Sequence, residues 1–167
     1  MHSYYLVQIL ESLGYKKIPL NKSGLGTEVL FKKNKVVRIG VDDRYDTFAK
    51  FVISQLQSSK HYPKIYRHVS FIGKAGLPGI SDEFTYTELE LLDELTELEA
   101  SQYKTWIDTN LQDIWLGKVV ASDPYGLLDE TYQLANLAKN NGYLPDFSQA
   151  KNVMKRNGTF VHIDPFA

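Results

Sequence analysis

The sequence predicts an α+β fold in two lobes: a β-rich N-terminal half with one central helix, then a helical half closed by a β-hairpin. Three observations predict it. Aromatic and β-branched runs bounded by turn residues fill residues 16–90, whereas apolar residues at helical spacing fill 101–140. Charge divides the chain in the same way: residues 1–80 carry 13 Lys and Arg against 5 Asp and Glu, and residues 81–167 carry 6 against 15. Near the C-terminus, Asn157-Gly158 stands between the apolar runs 153–154 and 160–163, a strong local hairpin signal.

Each element follows from its residues. Tyr4, Leu6, Val7, Leu10 and Leu13 recur at helical spacing over residues 3–13, and Gly14 stops the helix. Residues 28–33, a turn at Asn34 and residues 36–39 read as a hairpin. Asp46 or Thr47 can cap a helix over 48–56, with Phe48, Phe51, Val52 and Leu56 on its buried stripe. Residues 65–66 and 69–72 suit strands, and 73–79, with three glycines and a proline, suit a loop. A strand over 84–89 precedes the acidic residues 90–100. Helices are expected over 101–116 and 127–140, separated by Asp123-Pro124 and closed by Asn141-Gly142. The lobes are accordingly set at 1–90 and 91–167.

Composition excludes several chemistries. There are no cysteines, so disulfides, thiolate zinc sites and cysteine nucleophiles are out. No apolar run approaches the roughly 18 residues of a membrane span, and no signal peptide is visible, so a cytoplasmic protein with no membrane partner is expected. The basic half attracts phosphate, in a nucleotide or in nucleic acid, or simply complements the acidic half.

The hairpin mouth is the main chemical candidate. Asp146 and Asn152 precede the first strand and Asp164 follows the second, so strands of similar length bring Asn152 and Asp164 side by side. A carboxylate beside an amide oxygen suits a hard cation such as magnesium; an ordinary hairpin with a polar end carries the same residues. Gly24 and Gly26, in SGLGTEV just before a strand, allow backbone N–H groups to approach phosphate oxygens. No GK[ST] follows, so this is not a Walker loop. His2, His61, His68 and His162 lack metal-ligand spacing. Tyr62, Tyr66 and Phe71 interleave with Lys60, Lys64 and Arg67, a pattern open to single-stranded nucleic acid. The eight carboxylates between Asp82 and Glu99 read as a solvated surface or a protein-docking face.

Set in order, a glycine turn, VVRI, a helix, FTYTELELL, a long helix, DFSQAKNVM and HIDPF resemble the protein-kinase-like fold. In particular they resemble the small kinase-like proteins of bacteriophage genomes. The resemblance runs from about residue 20 to the C-terminus, and NVMKRNGTFVHIDP is its most specific part. It implies a minimal bilobal fold with ATP and magnesium as cofactors. Gly24 and Gly26 would lie over the phosphates, and Arg38 would occupy the place of the lysine that holds the α- and β-phosphates. Glu88 and Leu89 would lie at the hinge with backbone groups facing adenine. Asp146 would accept the substrate hydroxyl proton, and Asn152 and Asp164 would hold magnesium. Departures are as specific. Arg38 stands where the family has Lys, and no Glu in the helix over 48–56 can pair with it, Asp46 being the nearest acid. Asp146 and Asn152 are six apart where the family has five, no His-Arg precedes Asp146, and only three residues follow Asp164. A pseudokinase that binds a partner protein, such as a host factor, is the resulting expectation. A phosphotransferase acting on a small molecule or protein, and a nucleic-acid module using the basic half, are the alternatives.

Overall fold

Leu6, Val7 and Leu10 turn one side of α1 (Ser3–Ser12) onto a sheet, where Leu30, Val37, Ile39 and Phe84 complete a buried cluster. The computed structural model describes residues 3–18, 27–55, 57, 59–71 and 84–167. The chain is α+β. It divides into two compact units, Met1–Ser54 with Lys64–Leu91, and Gln55–Pro63 with Leu92–Ala167.

Unit 1 is built on a five-stranded antiparallel sheet in the order β1-β2-β3-β5-β4, from β1 (Lys16–Lys17), β2 (Thr27–Lys32), β3 (Lys35–Gly40), β4 (Ile65–Phe71) and β5 (Phe84–Glu90). Lys33, at φ 55°, and Asn34 make the β2–β3 turn. Alternation in β3 sends Val37 and Ile39 to the α1 side and Arg38 to the other face. That face receives α2 (Asp43–Ser54), whose Tyr45, Phe48 and Ala49 are buried. The helix starts earlier than residue 48 because Asp42, not Asp46 or Thr47, caps it: its carboxylate accepts from the Arg44 backbone N–H at 3.0 Å. The two strands expected over 65–66 and 69–72 are one, with a register shift between Ile65 and Arg67.

In unit 2, α3 (Glu97–Leu116) also starts earlier than expected. Thr96 and Glu99 form a reciprocal capping box, so the acidic residues continue into the helix instead of delaying it. Its Tyr103, Trp106, Ile107 and Ile114 pack inward. α4 (Leu128–Asn141) is held at its start by Asp123, whose carboxylate accepts from the N–H groups of Leu127 and Leu128, both at 3.0 Å. A single 3-10 turn (Ala150–Asn152) leads into β7 (Val153–Arg156), which pairs with β8 (Thr159–His162) on one side and β6 (Asp93–Glu94) on the other. The β7–β8 turn has Asn157 at φ 50° and Gly158 at φ 80°, the two left-handed residues that a primed two-residue turn needs.

Candidate functional site

The β7–β8 register decides where the polar residues of the hairpin fall. Val153 pairs with His162, and one step further the Ile163 N–H donates to the Asn152 carbonyl at 2.9 Å. Asn152 therefore stands one residue before β7 and Asp164 two residues after β8, at the same end of the ladder. The segment beyond is tied back by a Pro145–Phe166 bridge and by the Asp146 N–H, which donates to the Pro165 carbonyl at 2.8 Å. Backbone bonds on both sides thus gather Asp146, Asn152 and Asp164.

The side chains add a direct link. Asn152 is 7% exposed, and its Nδ2 donates to an Asp146 carboxylate oxygen at 2.8 Å and to the Asp146 carbonyl at 3.2 Å. The six-residue spacing is absorbed by the 3-10 turn, in which the Asn152 N–H donates to the Gln149 carbonyl at 2.8 Å. With Nδ2 so committed, Oδ1 is the end of the carboxamide left to accept a cation. Asp146 and Asp164 are half-buried. Amide and carboxylate oxygens are the ligand type that a hard cation such as magnesium takes. Among the described residues, no three or more His, Cys, Asp or Glu side chains cluster in a way that could hold a metal.

His162, the last residue of β8, is fully buried. Its Nε2 contacts Thr131 Oγ1 at 3.0 Å, and that hydroxyl donates to the Leu127 carbonyl at 2.7 Å, so the ring nitrogen is the donor. Burial, with the nearby His61, lowers its pKa to about 3 and keeps the imidazole neutral. His61 Nδ1 donates to the Phe160 carbonyl at 2.8 Å. Both histidines thus serve packing. Tyr62 is buried too, which removes it from any nucleic-acid stacking surface.

Unit 1 holds the other expected residues. Arg38 is 7% exposed; its guanidinium lies 3.6 Å from the centroid of the Tyr45 ring and meets Asp42 at 3.4 Å. The acid paired with Arg38 is therefore Asp42, not Asp46. Burial opposes ionisation of Asp42, but the Arg44 hydrogen bonds and the Arg38 charge outweigh it and hold the carboxyl below its ordinary range. Asp46 turns instead to β4: its Oδ1 accepts from His68 Nε2 at 2.9 Å and from Ser70 Oγ at 3.0 Å, and its Oδ2 takes Lys50 at 2.5 Å. The other nitrogen of His68 meets Thr87 Oγ1 at 2.8 Å. The Asp42 and His68 contacts went unseen in the sequence; an acid four residues beyond Arg38 was the available signal for the first, and the second had none. Glu88 and Leu89 lie in β5 with register partners in both β3 and β4, where the ladder to β4 shifts register between Ile65 and Arg67. Gly24 and Gly26 lie outside the described residues.

No family profile matches the chain, and no curated protein does. Among solved structures it is similar to monomeric WbdD, at 15% identity and a TM-score of 0.41, covering 90% of this chain and 35% of that one. A co-crystal of WbdD with the kinase inhibitor LY294002 is similar at 13% identity and 0.41, covering 89% and 34%. The bifunctional kinase-methyltransferase WbdD is similar at 15% identity and 0.38, covering 90% and 32%. The chain spans about a third of the length of these structures.

Proposed function

We propose that this chain is a kinase-like protein that binds a nucleotide with magnesium at the hairpin mouth of unit 2. It works chiefly by engaging a partner protein, as a pseudokinase. The observation that carries the reading is the Asn152–Asp146 hydrogen bond beside Asp164, three oxygen-bearing residues gathered by backbone bonds at one end of a hairpin. In this reading Asn152 Oδ1 and the Asp164 carboxylate hold the cation, and the cation neutralises phosphate charge. Arg38 supports the pseudoenzyme assignment. Its guanidinium is bound to Asp42 and stacked on Tyr45, so it does not offer the mobile point charge that a lysine brings to phosphates. Losing one charge-stabilising group at such a site typically slows a reaction about 10²–10³-fold.

The test is thermal unfolding with ATP and magnesium, against ATP with a chelator. Magnesium-dependent stabilisation is expected, by about 2.7 kcal/mol at a hundredfold excess over Kd, and Asp164→Ala should abolish it. No stabilisation at saturating nucleotide, or an unchanged magnesium dependence in Asp164→Ala, would sink the site. Transfer of phosphate is the second reading, favoured by an Asp146 side chain that is half-buried rather than sealed. It predicts slow ATP turnover that Asp146→Asn removes while nucleotide binding remains.

A further inference from the structure

We propose that Tyr103 is a positioning residue for the hairpin mouth: its hydroxyl sets the Asp146–Phe147 segment and, through Asp146, the orientation of the Asn152 carboxamide. For the geometry of the chain, this stands on contacts within unit 2. Its consequence for magnesium rests on the function proposed above.

The bonds of Asp146 run within the C-terminal segment. Its N–H donates to the Pro165 carbonyl at 2.8 Å, and its own carbonyl accepts from the Gln149 N–H at 3.4 Å and from Asn152 Nδ2 at 3.2 Å. Such bonds fix these residues to one another but not to the rest of the unit. Tyr103 supplies the outside anchor. It is 0% exposed, it stands on α3, and its hydroxyl donates to the Phe147 carbonyl at 2.9 Å. A tyrosine hydroxyl sealed from water needs a partner, so burial of the ring dictates the bond.

The Tyr103 ring reaches the other arm of the mouth. Its centroid lies 6.2 Å from that of Phe160 in β8, the strand that runs on towards Asp164, and 5.9 Å from that of Tyr125. Tyr125 in turn stacks on Phe160 at 4.6 Å. One side chain thus touches both arms, the loop by its hydroxyl and the strand by its ring, and a helix is a rigid base for it. Deleting the hydroxyl leaves the ring packing in place but frees the Phe147 carbonyl. The neighbouring Asp146 carboxylate, which holds Asn152 Nδ2 at 2.8 Å, then loses its fixed place, and Asn152 Oδ1 loses its direction. Partners that orient a metal ligand are typically worth about 10–100-fold in metal affinity.

Tyr103→Phe is the test, with Tyr62→Phe as its control. Tyr62 also lies buried in unit 2, but its hydroxyl donates to Gln133 on α4, at 3.1 Å. Exchange of the Asn152 side-chain amide protons, read by NMR without metal, should quicken about fivefold in Tyr103→Phe, the factor that one ordinary hydrogen bond gives. It should keep the wild-type rate in Tyr62→Phe. Magnesium affinity should fall at least about tenfold in Tyr103→Phe alone. An unchanged Asn152 exchange rate in a folded Tyr103→Phe protein would overturn the inference, as would equal quickening in both variants, which is general loosening of the unit. So would a Tyr103→Phe chain that does not fold, because the hydroxyl would then serve folding. Quickened exchange with unaltered magnesium affinity would uphold the positioning and remove Asn152 from the cation's ligands. A wild-type protein that binds no magnesium would sink the function proposed above, while the Asn152 exchange rates would still decide the role of Tyr103.

Discussion

Arg38 and Asn152 are both buried polar anchors, yet their consequences differ. Arg38 is enclosed by Asp42, Tyr45 and the sheet, so it acts on the stability of unit 1. Arg38→Met keeps much of the packing but leaves Asp42 without its guanidinium. We expect a loss of about 1–3 kcal/mol, read by chemical denaturation, with magnesium–ATP stabilisation retained. Loss of nucleotide binding in a folded Arg38→Met protein would instead place Arg38 among the phosphate ligands. Asn152→Ala should do the reverse. Removing the amide frees Asp146 and deletes a cation ligand, so magnesium-dependent stabilisation should vanish with a stability cost of only about 1 kcal/mol. The identity of these residues was legible in the chain, but the partners were not. Asp42 lies four residues past Arg38, across a strand end and a helix cap, and no periodicity announces such a pair.

The elements were easier to read than their ends. Asn157-Gly158 marked the hairpin because two successive left-handed residues are costly for most side chains, and the structure has both. Gly158→Ala should cost about 1 kcal/mol or more in unfolding, through strain at φ 80°. α3 shows the opposite case. The sequence reading begins the helix at 101, after the acidic residues 90–100, whereas Thr96-x-x-Glu99 is a capping box and acids favour a helix N-terminus. Glu99 also receives both carboxylate bonds from Lys155, at 2.9 and 2.7 Å. The Lys155 hydrogen bonds, then those from Thr96, hold its pKa at about 2, against 4.5 ordinarily. A depressed acid favours the fold above the ordinary value and loses that favour as pH falls from about 4.5 towards 2. Carboxyl NMR should show Glu99 titrating at the low end of that window and moving up in Lys155→Met. An unmoved titration would assign the depression to the cap alone.

For the whole molecule, both tryptophans lie in α3, so indole fluorescence reports unit 2 while far-ultraviolet dichroism reports both units. With Arg38→Met destabilising unit 1, the dichroism midpoint should fall below the fluorescence midpoint; coincident curves would mean that the two units unfold as one. Segment 59–62 illustrates why division of the chain resists sequence reading. It lies between two elements of unit 1, yet its backbone binds unit 2: His162 N–H donates to the His61 carbonyl at 3.0 Å, and Arg156 donates to the carbonyls of Lys60 and Tyr62. Hydrogen bonds separated by about a hundred residues leave no local trace.

By itself, the sequence determined the α+β class, the four helices among the described residues and the turn that closes the C-terminal hairpin, because these follow from local periodicity and glycine geometry, whereas the two-residue strand β6 left no pattern to read. Only the tertiary structure decided that Asn152 binds Asp146, that Asp42 rather than Asp46 meets Arg38, and that half of the α1 stripe faces outward. The first two are contacts six and four residues apart, fixed by a 3-10 turn and a strand-to-helix corner whose geometry periodicity does not reveal, and the third is set by the sheet that covers the other side of α1.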